Sequence, residues 1–512
     1  ISQYSAIARR APPISYHPIL DKISKKRGFI WQSSDLYGGL SGFFDYGHLG
    51  TLMKKKFEDL WRNYFLDLSP NYFEIDTSNV LSEDVLKASG HLEHFTDPLT
   101  VCSKCGNEER ADELLEKELD EKFEGLNEEE LSEIIEKHDL KCPKCGGKLK
   151  EVGQLNITFP LTIGSKGGKT AYLRPETAQG TYLNFLREFK ATRKKMPLGL
   201  ASIGKAYRNE ISPRQGVFRA REFTQAELQV FIDPENIDEE PRFDDIEDVV
   251  LRLYPVSERD SGEVLEMKAG EVLEELDMPR KYVYFMAKIQ QFYLDELKIP
   301  REKFRFEQLN QEERAFYNKY HWDIELDMES LGGFKEVAGL HYRTDHDLKS
   351  HQDQSGESQE IFYDDKRFVP HVIEVSFGVD RNVYGIMDLS LVDDKRTYFS
   401  MPREVSPYDV GILPLVTKDS LPEKAEDIRK SLTKNFDVSL DSSGTSIGKR
   451  YRRMDEVGVP LVITVDYDTM EDDTVTIRER DSMEQIRVSI EDLEDIIGKF
   501  LEDPDCKLED LE

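Results

Sequence analysis

Two Cys-x-x-Cys pairs are the most specific chemical motif in this 512-residue sequence. Cys102 and Cys105 form the first pair, Cys142 and Cys145 form the second, and a glycine directly follows each pair. The glycines let backbone amides turn toward the sulfur atoms, and four thiolates close a tetrahedron around Zn²⁺ without leaving a position for water. The spacing therefore predicts a structural zinc site that joins the ends of an insertion, with two disulfides as the alternative. Cys506, in an acidic tail, is predicted to be a free thiol.

A second candidate site is a pair of alternating, charged segments at 207–210 and 218–223, which predict two antiparallel strands around a turn. Such a hairpin can present Arg208 to a phosphate, Glu210 to a nucleobase amino group and Phe223 as a stacking platform, three contacts that a nucleotide needs. A surface hairpin with alternating charges would have a similar pattern. Residues 444–449 approach a Walker sequence but are one residue short, so ATP would have to be held in another way.

The balance of charge limits how the protein can hold nucleic acid. The chain has 69 Lys and Arg against 101 Asp and Glu, a formal charge of −32, which argues against binding by overall electrostatics. A basic segment, Lys449, Arg450, Arg452 and Arg453, is a candidate local patch, and a solvated charged surface is its alternative. The acidic excess is also compatible with adaptation to a saline cytoplasm. Because no apolar run is long enough to span a bilayer, we expect a soluble cytoplasmic protein without a membrane partner.

Hydrophobic periodicity predicts the elements that must position these residues. Helical spacing over 49–68 predicts a helix that ends before Pro70, followed by a strand over 72–75. Strands alternating with helices after Pro407 predict a small α/β domain. The predicted organisation is an extension over 1–16, a main domain over 17–404 with an acidic helical insertion at about 101–150 and a helical one at 234–330, the α/β domain over 405–502, and an acidic tail over 503–512.

Several longer motifs resemble glycyl-tRNA synthetases, which belong to the class II aminoacyl-tRNA synthetases, and the hairpin resembles their motif 2. In chain order the motifs are Ala88-Ser-Gly-His91, Arg174-Pro-Glu176-Thr-Ala-Gln-Gly180, Arg208-Asn-Glu210-Ile-Ser-Pro-Arg214, Phe218-Arg-Ala-Arg-Glu-Phe223, Glu374-Val-Ser376-Phe-Gly378-Val-Asp-Arg381 and Ser446-Ile-Gly-Lys-Arg-Tyr-Arg-Arg-Met-Asp455. The resemblance spans roughly residues 17–500. It implies an α+β class II catalytic domain, an antiparallel sheet with helices, followed by an α/β anticodon-binding domain.

The resemblance also implies roles for individual residues. Arg208 and Arg381 are the candidate catalytic residues, placed on the α- and γ-phosphates of ATP, and Phe223 is implied to stack on adenine. Positioned positive charge suits attack on phosphorus better than a base does. The further residues implied to bind ATP with its Mg²⁺ are Asn209, Glu210, Phe218, Arg219, Arg221, Glu336, Val337 and Gly378.

Glycine has no side chain to hold, so a selective pocket must bind its ammonium and carboxylate and leave no room at Cα. The residues that the resemblance implies for this pocket are Glu176, Glu374, Ser376, Arg110, Gln225 and Glu227. Histidines at 91 and 94, and at 341, 346 and 351, raise the alternative of a second metal site. The resemblance argues against it, since no zinc is expected in those segments.

The implied reaction is formation of glycyl-adenylate and pyrophosphate from glycine and ATP, followed by transfer of glycine to the terminal adenosine of tRNA(Gly). A homodimer is implied as well, with the helix before Pro70 at its interface. Two alternatives remain: a non-catalytic paralogue that only binds nucleic acid, which would be expected to lack Arg208 and Arg381, and a class II synthetase for another amino acid, whose side chain Glu176 and Ser376 would crowd.

Overall fold

The computed structural model describes residues 17–119, 123, 126–165, 167–211, 213, 215–311, 313–314, 318–503 and 506–511. The predicted extension over 1–16 lies outside these residues. Among the described residues, no helix combines the length and the apolar character that a membrane span requires.

The main domain is built on a sheet that has nine strands within the described residues. In spatial order they are Leu265–Lys268, Val250–Tyr254, Phe304–Gln308, Tyr320–Met328, Gly333–Thr344, His371–Gly378, Glu222–Ile232, Leu198–Tyr207 and Tyr72–Glu74. All neighbours pair antiparallel except Val250–Tyr254 with Phe304–Gln308 and Leu198–Tyr207 with Tyr72–Glu74, which are parallel. The predicted class II antiparallel sheet with helices is confirmed.

The central strand Glu222–Ile232 shows how the sequence gives this sheet two different faces. Ala226, Leu228 and Val230 belong to the main hydrophobic core, whereas Gln225 and Glu227 are equally buried but line a cavity on the opposite face. Since successive side chains of a strand point to opposite faces, this alternation of apolar and polar residues places one row in the core and the other in the cavity.

The helix His48–Leu66 covers the apolar face of the sheet. Its buried residues Leu49, Met53, Phe57, Trp61 and Phe65 recur every four positions and form one stripe. Each of these large side chains stabilises the fold by about 1.5–3 kcal/mol when it is fully buried. The predicted helix over 49–68 is confirmed, and it ends slightly earlier than predicted because the chain turns before the proline.

The helical interpretation of residues 234–330 is wrong. The segment contains the helices Ala269–Glu275 and Arg280–Gln291, but it also contributes four strands to the main sheet. The strand Tyr320–Met328 pairs along its whole length with Gly333–Thr344. Three of these strands are only four or five residues long, a length at which alternation is too brief to identify a strand, so the helical periodicity of the neighbouring segments dominated the prediction.

The C-terminal segment forms a separate five-stranded sheet with its own hydrophobic core, in the order Val438–Leu440, Val410–Pro414, Leu461–Val465, Thr474–Glu479 and Gln485–Ser489. The helices Leu421–Leu432 and Leu493–Glu502 pack their apolar residues into that core. The predicted alternation of strands and helices is confirmed.

The other helices and strands form smaller units around the two large sheets. The remaining helices are Pro18–Arg27, Glu83–Ala88, His91–His94, Ala111–Leu119, Glu128–Lys137, Ala178–Ala191, His346–Ser355, Val379–Ser390, Ile447–Val457 and Thr469–Asp472. The remaining strands are Ile30–Gln32, Phe44–Tyr46, Val80–Ser82, Thr96–Val101, Glu108–Arg110, Gly153–Asn156, Phe159–Ile163, Lys169–Leu173, Ile361–Tyr363, Lys366–Phe368, Leu391–Asp393 and Thr397–Phe399.

Candidate functional site

A cavity of about 600 Å³ opens on the polar face of the main sheet. Most of the predicted ATP and glycine residues lie in its wall, although they are up to 205 positions apart in the chain: Glu176, Arg208, Glu210, Phe218, Arg219, Phe223, Gln225, Glu227, Glu336, Glu374, Ser376, Gly378 and Arg381. The site also contains Ser89 to His91, the last part of the first motif.

Strand register assembles one end of the cavity. Ser376 is the partner of Glu227 on one side and of Gly339 on the other, while Glu374 is the partner of Gln229 and of His341. Partners of this kind lie side by side on the same face of a sheet. The pairing therefore forms two adjacent polar rows from segments that are far apart in sequence.

Glu374 is an almost fully enclosed carboxylate of the cavity, with only 4% of its side chain exposed. It accepts a hydrogen bond from Gln229 Nε2 at 2.7 Å, and His341 Nδ1 lies 2.7 Å from its Oε1. Burial would raise the pKa of Glu374, but the neighbouring Arg343 and His341 lower it to about 2. The carboxylate is therefore ionised at neutral pH although it is buried.

Glu176 lies between the strand Lys169–Leu173 and the helix Ala178–Ala191 and is held by two different groups. Gln179 Nε2 donates to its Oε1 at 2.8 Å, and His91 Nε2 lies 3.6 Å from its Oε2. Burial opposes ionisation, but His91 and Arg343 lower the pKa of Glu176 well below its usual range. Glu176 and Glu374 together place fixed negative charge at the sheet end of the cavity.

The pKa of Glu227 is shifted in the opposite direction to those of Glu176 and Glu374. Burial and the charges of Glu374 and Glu176 raise its pKa to about 8. At the same time Ser376 Oγ and Gln225 Nε2 donate to its Oε1 at 2.7 and 2.8 Å. These donors are oriented toward an ionised carboxylate, so a cation that arrived between the three glutamates would favour the ionised form of Glu227.

Arg343 is a functional candidate that the sequence analysis missed. It lines the cavity with only 5% of its side chain exposed, donates to both oxygens of Asp347 at 2.8 and 2.9 Å, and lies 3.3 Å from Glu374. Asp345 and Asp347 follow it closely in the sequence, but no local pattern shows that Arg343 and Asp347 form a buried ion pair in the wall of a cavity.

Two other arginines and their aromatic partners form a further part of the cavity wall. The guanidinium carbon of Arg208 lies 5.3 Å from the ring centre of Phe95 and 5.2 Å from that of Phe223. Arg381 lies over the ring of Phe218 at 5.1 Å. Cation–π contacts of this kind hold each guanidinium in place while its N–H groups remain able to reach an anion.

Arg381 is also paired with Glu336, whose carboxylate lies 2.8 Å from it. A Cβ at Gly378 would lie only 3.2 Å from Arg381 Cδ, so the glycine keeps space for this side chain. The side chain of Glu336 is 51% exposed, and the charge of Arg381 lowers its pKa. A carboxylate held ionised beside an arginine that is predicted to bind phosphate is a suitable oxygen ligand for Mg²⁺.

Four predicted site residues lie outside the cavity wall: Arg110, Asn209, Arg221 and Val337. The guanidinium of Arg110 lies 2.8 Å from Asp112 and 3.4 Å from Asp97, so its contact with glycine stays a prediction that the cavity wall does not support. Arg221 donates to the backbone oxygens of Glu210 and Ser41, so it stabilises the motif 2 loop. Val337 is fully buried in the core. The motif 2 loop itself extends from Arg208 to Arg221, because the strand before it ends at Tyr207 and the strand after it begins at Glu222.

The four predicted metal-site cysteines come together in the 101–150 insertion. All four sulfurs lie within 4.8 Å of one another, and the distances Cys102 to Cys145 and Cys105 to Cys142 are 3.5 and 3.8 Å. Zn–S bonds of about 2.3 Å place the sulfurs of a tetrahedron about 3.8 Å apart, so the donor set fits Zn²⁺. The glycine after each pair has a φ of +68°, which permits the turn that the sequence predicted.

The predicted basic patch does not present all its arginines to solvent. Arg450 is 1% exposed and donates to the backbone oxygens of Pro414 and Leu415 at the centre of the C-terminal domain. Its assignment to RNA binding is therefore wrong, because its donors are already used inside the fold. Lys449 is exposed, Arg452 is 66% exposed, and Arg453 pairs with Asp441 at 2.9 Å.

The fold, together with Arg208 and Arg381 in the cavity wall, is that of a class II aminoacyl-tRNA synthetase. The family model "tRNA synthetase class II core domain (G, H, P, S and T)" matches residues 161–389, and the model "Anticodon binding domain" matches residues 409–500. A crystal structure of prolyl-tRNA synthetase from Cryptosporidium parvum, complexed with L-proline and AMP, has a similar fold. Its TM-score is 0.58 with 15% identity, over 94% of this chain and 74% of that chain.

Relatives of known name narrow the class to one family. The glycine–tRNA ligase of Methanothermobacter thermautotrophicus is 38% identical over 93% of this chain and 98% of its own length. The glycine–tRNA ligase of Pyrococcus furiosus is 39% identical over 93% of this chain and 97% of its own length. This chain belongs to the glycine–tRNA ligase family.

Proposed function

We propose that the protein activates glycine with ATP and transfers it to the 3′ end of tRNA(Gly). The observation that best supports this proposal is the set of charged residues in the cavity wall. Three glutamates line one region, and two arginines, each packed on an aromatic ring, line another. The first region suits an ammonium group and the second suits a triphosphate. Family membership supports the same reaction.

The glutamates would bind glycine through its ammonium group. Glu176 and Glu374 supply fixed negative charge, and Glu227 becomes ionised when the ammonium arrives between them. Arg343 is the cation closest to Glu374 on this side and would attract the glycine carboxylate. Ser376 lies 2.7 Å from Glu227 and limits the space at Cα, so a methyl group would meet the wall.

Arg208 and Arg381 would hold the triphosphate so that its α-phosphorus faces the glycine carboxylate. A carboxylate oxygen attacks phosphorus, the bond to the pyrophosphate oxygen breaks, and the arginines stabilise the negative charge that develops. Phe223 is positioned for adenine stacking beside Arg208. Mg²⁺, when bound with ATP, neutralises phosphate charge, and Glu336 is the residue that would hold it.

The anticodon-binding domain supports a tRNA partner. Lys449 and Arg452 extend into solvent from the helix Ile447–Val457 and are the best candidates for phosphate contacts, with Arg453 beside them. The zinc site would hold the two ends of the 101–150 insertion together. We further propose the homodimer and the cytoplasmic location typical of a charging enzyme in translation; sedimentation of the purified protein tests the dimer.

Glycine-dependent exchange of pyrophosphate into ATP tests the activation step. The wild type should exchange with glycine, and Arg208→Ala should lose about 10²–10³-fold in rate because a donor to the phosphate is missing in the transition state. Arg367→Ala is a matched control, since Arg367 is exposed and lies over the ring of Phe362 on a separate hairpin. An equal loss in both variants, or no exchange by a folded wild type, would contradict the proposal.

A further inference from the structure

Three potential metal ligands meet in the wall of the cavity, separate from the cysteine cluster. His321 and Asp323 lie on the strand Tyr320–Met328, and His341 lies on the adjacent strand Gly333–Thr344. Register places them together, because His321 is the direct partner of His341 and Asp323 is the partner of Gly339. Each side chain is only 14–16% exposed.

The donor atoms of these residues converge on one point. His321 Nε2 lies 2.9 Å from His341 Nε2 and 2.9 Å from Asp323 Oδ1, and one ligand atom from each residue lies within 4.8 Å of the others. A neutral imidazole nitrogen carries at most one proton. A single proton on His321 Nε2 would therefore be shared between two acceptors, whereas a cation would bind all three groups at once.

The carboxylate of Glu374 favours the form of His341 that can bind a metal ion. His341 Nδ1 lies 2.7 Å from Glu374 Oε1, which favours the tautomer with its proton on Nδ1 and a lone pair on Nε2. A carboxylate behind a histidine in this way is the usual support for a metal-ligating imidazole. Gly339 also keeps the space around His341 open, since a Cβ there would lie 2.7 Å from His341 Cε1.

We propose that His321, Asp323 and His341 bind a divalent transition-metal ion, with Zn²⁺ as the favoured cation. Two imidazoles and one carboxylate favour zinc over the hard cations Mg²⁺ and Ca²⁺. Bonds of about 2.0–2.1 Å require ligand atoms roughly 3.4 Å apart, so the two contacts of His321 Nε2 at 2.9 Å need to lengthen by only about half an ångström. All three residues line the cavity. Three protein ligands leave the fourth position open to the cavity, where water or an anionic oxygen would bind.

Zinc content of the full-length protein tests the proposal independently of enzymatic activity. After dialysis against micromolar Zn²⁺ followed by removal of free metal, the wild type should retain two ions per chain, one of them in the cysteine cluster. Asp323→Asn and His321→Asn should each retain one. His371→Asn is a matched control, because His371 is a partly buried sheet histidine that contacts Tyr342 at 2.6 Å and lies outside the triad; it should retain two.

Cobalt substitution distinguishes the two sites without any variant. The cysteine cluster should give intense thiolate-to-cobalt charge-transfer absorption, and a second equivalent of Co²⁺ should add only weaker visible ligand-field bands of a nitrogen and oxygen site. A wild type that retains one zinc ion per chain, or whose cobalt spectrum stops changing after the first equivalent, would overturn the proposal. Retention of two zinc ions by the folded triad variants would do the same.

Discussion

Replacing Glu374 by glutamine removes one charge from the proposed ammonium site and preserves the shape of the side chain. A hydrogen bond to a charged group contributes about 1.5–3 kcal/mol, and 1.4 kcal/mol corresponds to a tenfold change in affinity. Glu374→Gln should therefore raise the KM for glycine about 10- to 150-fold. The fold should survive, because Arg343 keeps its two bonds to Asp347 at 2.8 and 2.9 Å.

Pyrophosphate exchange measured over a range of glycine and ATP concentrations separates the two sites. The KM for ATP should change by less than about threefold, since Glu374 contacts Gln229, His341 and Arg343, whereas Arg208 and Arg381 pack on Phe223 and Phe218. Glu325→Gln is the matched control: Glu325 is a buried glutamate that pairs with Arg305 at 2.7 Å, and it does not line the cavity. An unchanged KM for glycine in Glu374→Gln, or an equal increase for ATP, would refute the assignment.

Further predictions concern the zinc site, the C-terminal domain and the response to pH. Cys142→Ala should lose one zinc ion per chain by elemental analysis and lower the melting temperature, whereas Cys506→Ser, outside the cluster, should change neither. Arg450→Ala should lower the free energy of unfolding in urea by about 3 kcal/mol because buried backbone oxygens lose their donor. Arg452→Ala should leave that stability within about 0.5 kcal/mol but weaken tRNA binding and its dependence on salt in filter-binding assays. The pKa of Glu227 is raised to about 8, so the neutral form is favoured in the empty site and ionisation becomes easier as pH rises. Glycine affinity measured by calorimetry should increase from pH 6 to 8, and Glu227→Gln should remove that increase; an identical slope in the variant would count against the glutamate.

Local sequence patterns predicted the helices and strands whose buried residues recur at one regular spacing. Apolar residues at helical spacing over 49–68 predicted the long helix, and the pairs of strand and helix after Pro407 predicted the C-terminal domain. The strands within 234–330 were missed because three of the four are only four or five residues long, too short for periodicity to identify them. A strand such as Tyr320–Met328 is specified by the sheet that it joins more than by its own sequence.

The same distinction applies to the site. Glu176, Glu374 and Ser376 occur in recognisable motifs, and the sequence predicted that they would act together. Arg343 was missed, because what makes it a candidate is its ion pair with Asp347 and its distance to Glu374, which only the fold creates. Arg450 shows the reverse case: its sequence neighbours are basic, but its burial, which no local pattern indicates, excludes it from RNA contact.

Charging of tRNA with radiolabelled amino acids tests the central claim most directly. Purified protein, a tRNA(Gly) transcript, ATP and Mg²⁺ should yield acid-precipitable glycine attached to the 3′-terminal adenosine, while alanine and serine should give at least 100-fold lower rates because Ser376 is proposed to limit the space at Cα. Transfer of alanine or serine at a rate comparable to that of glycine would contradict the proposed pocket. The absence of glycyl-tRNA from a folded, zinc-containing preparation would contradict the proposed function.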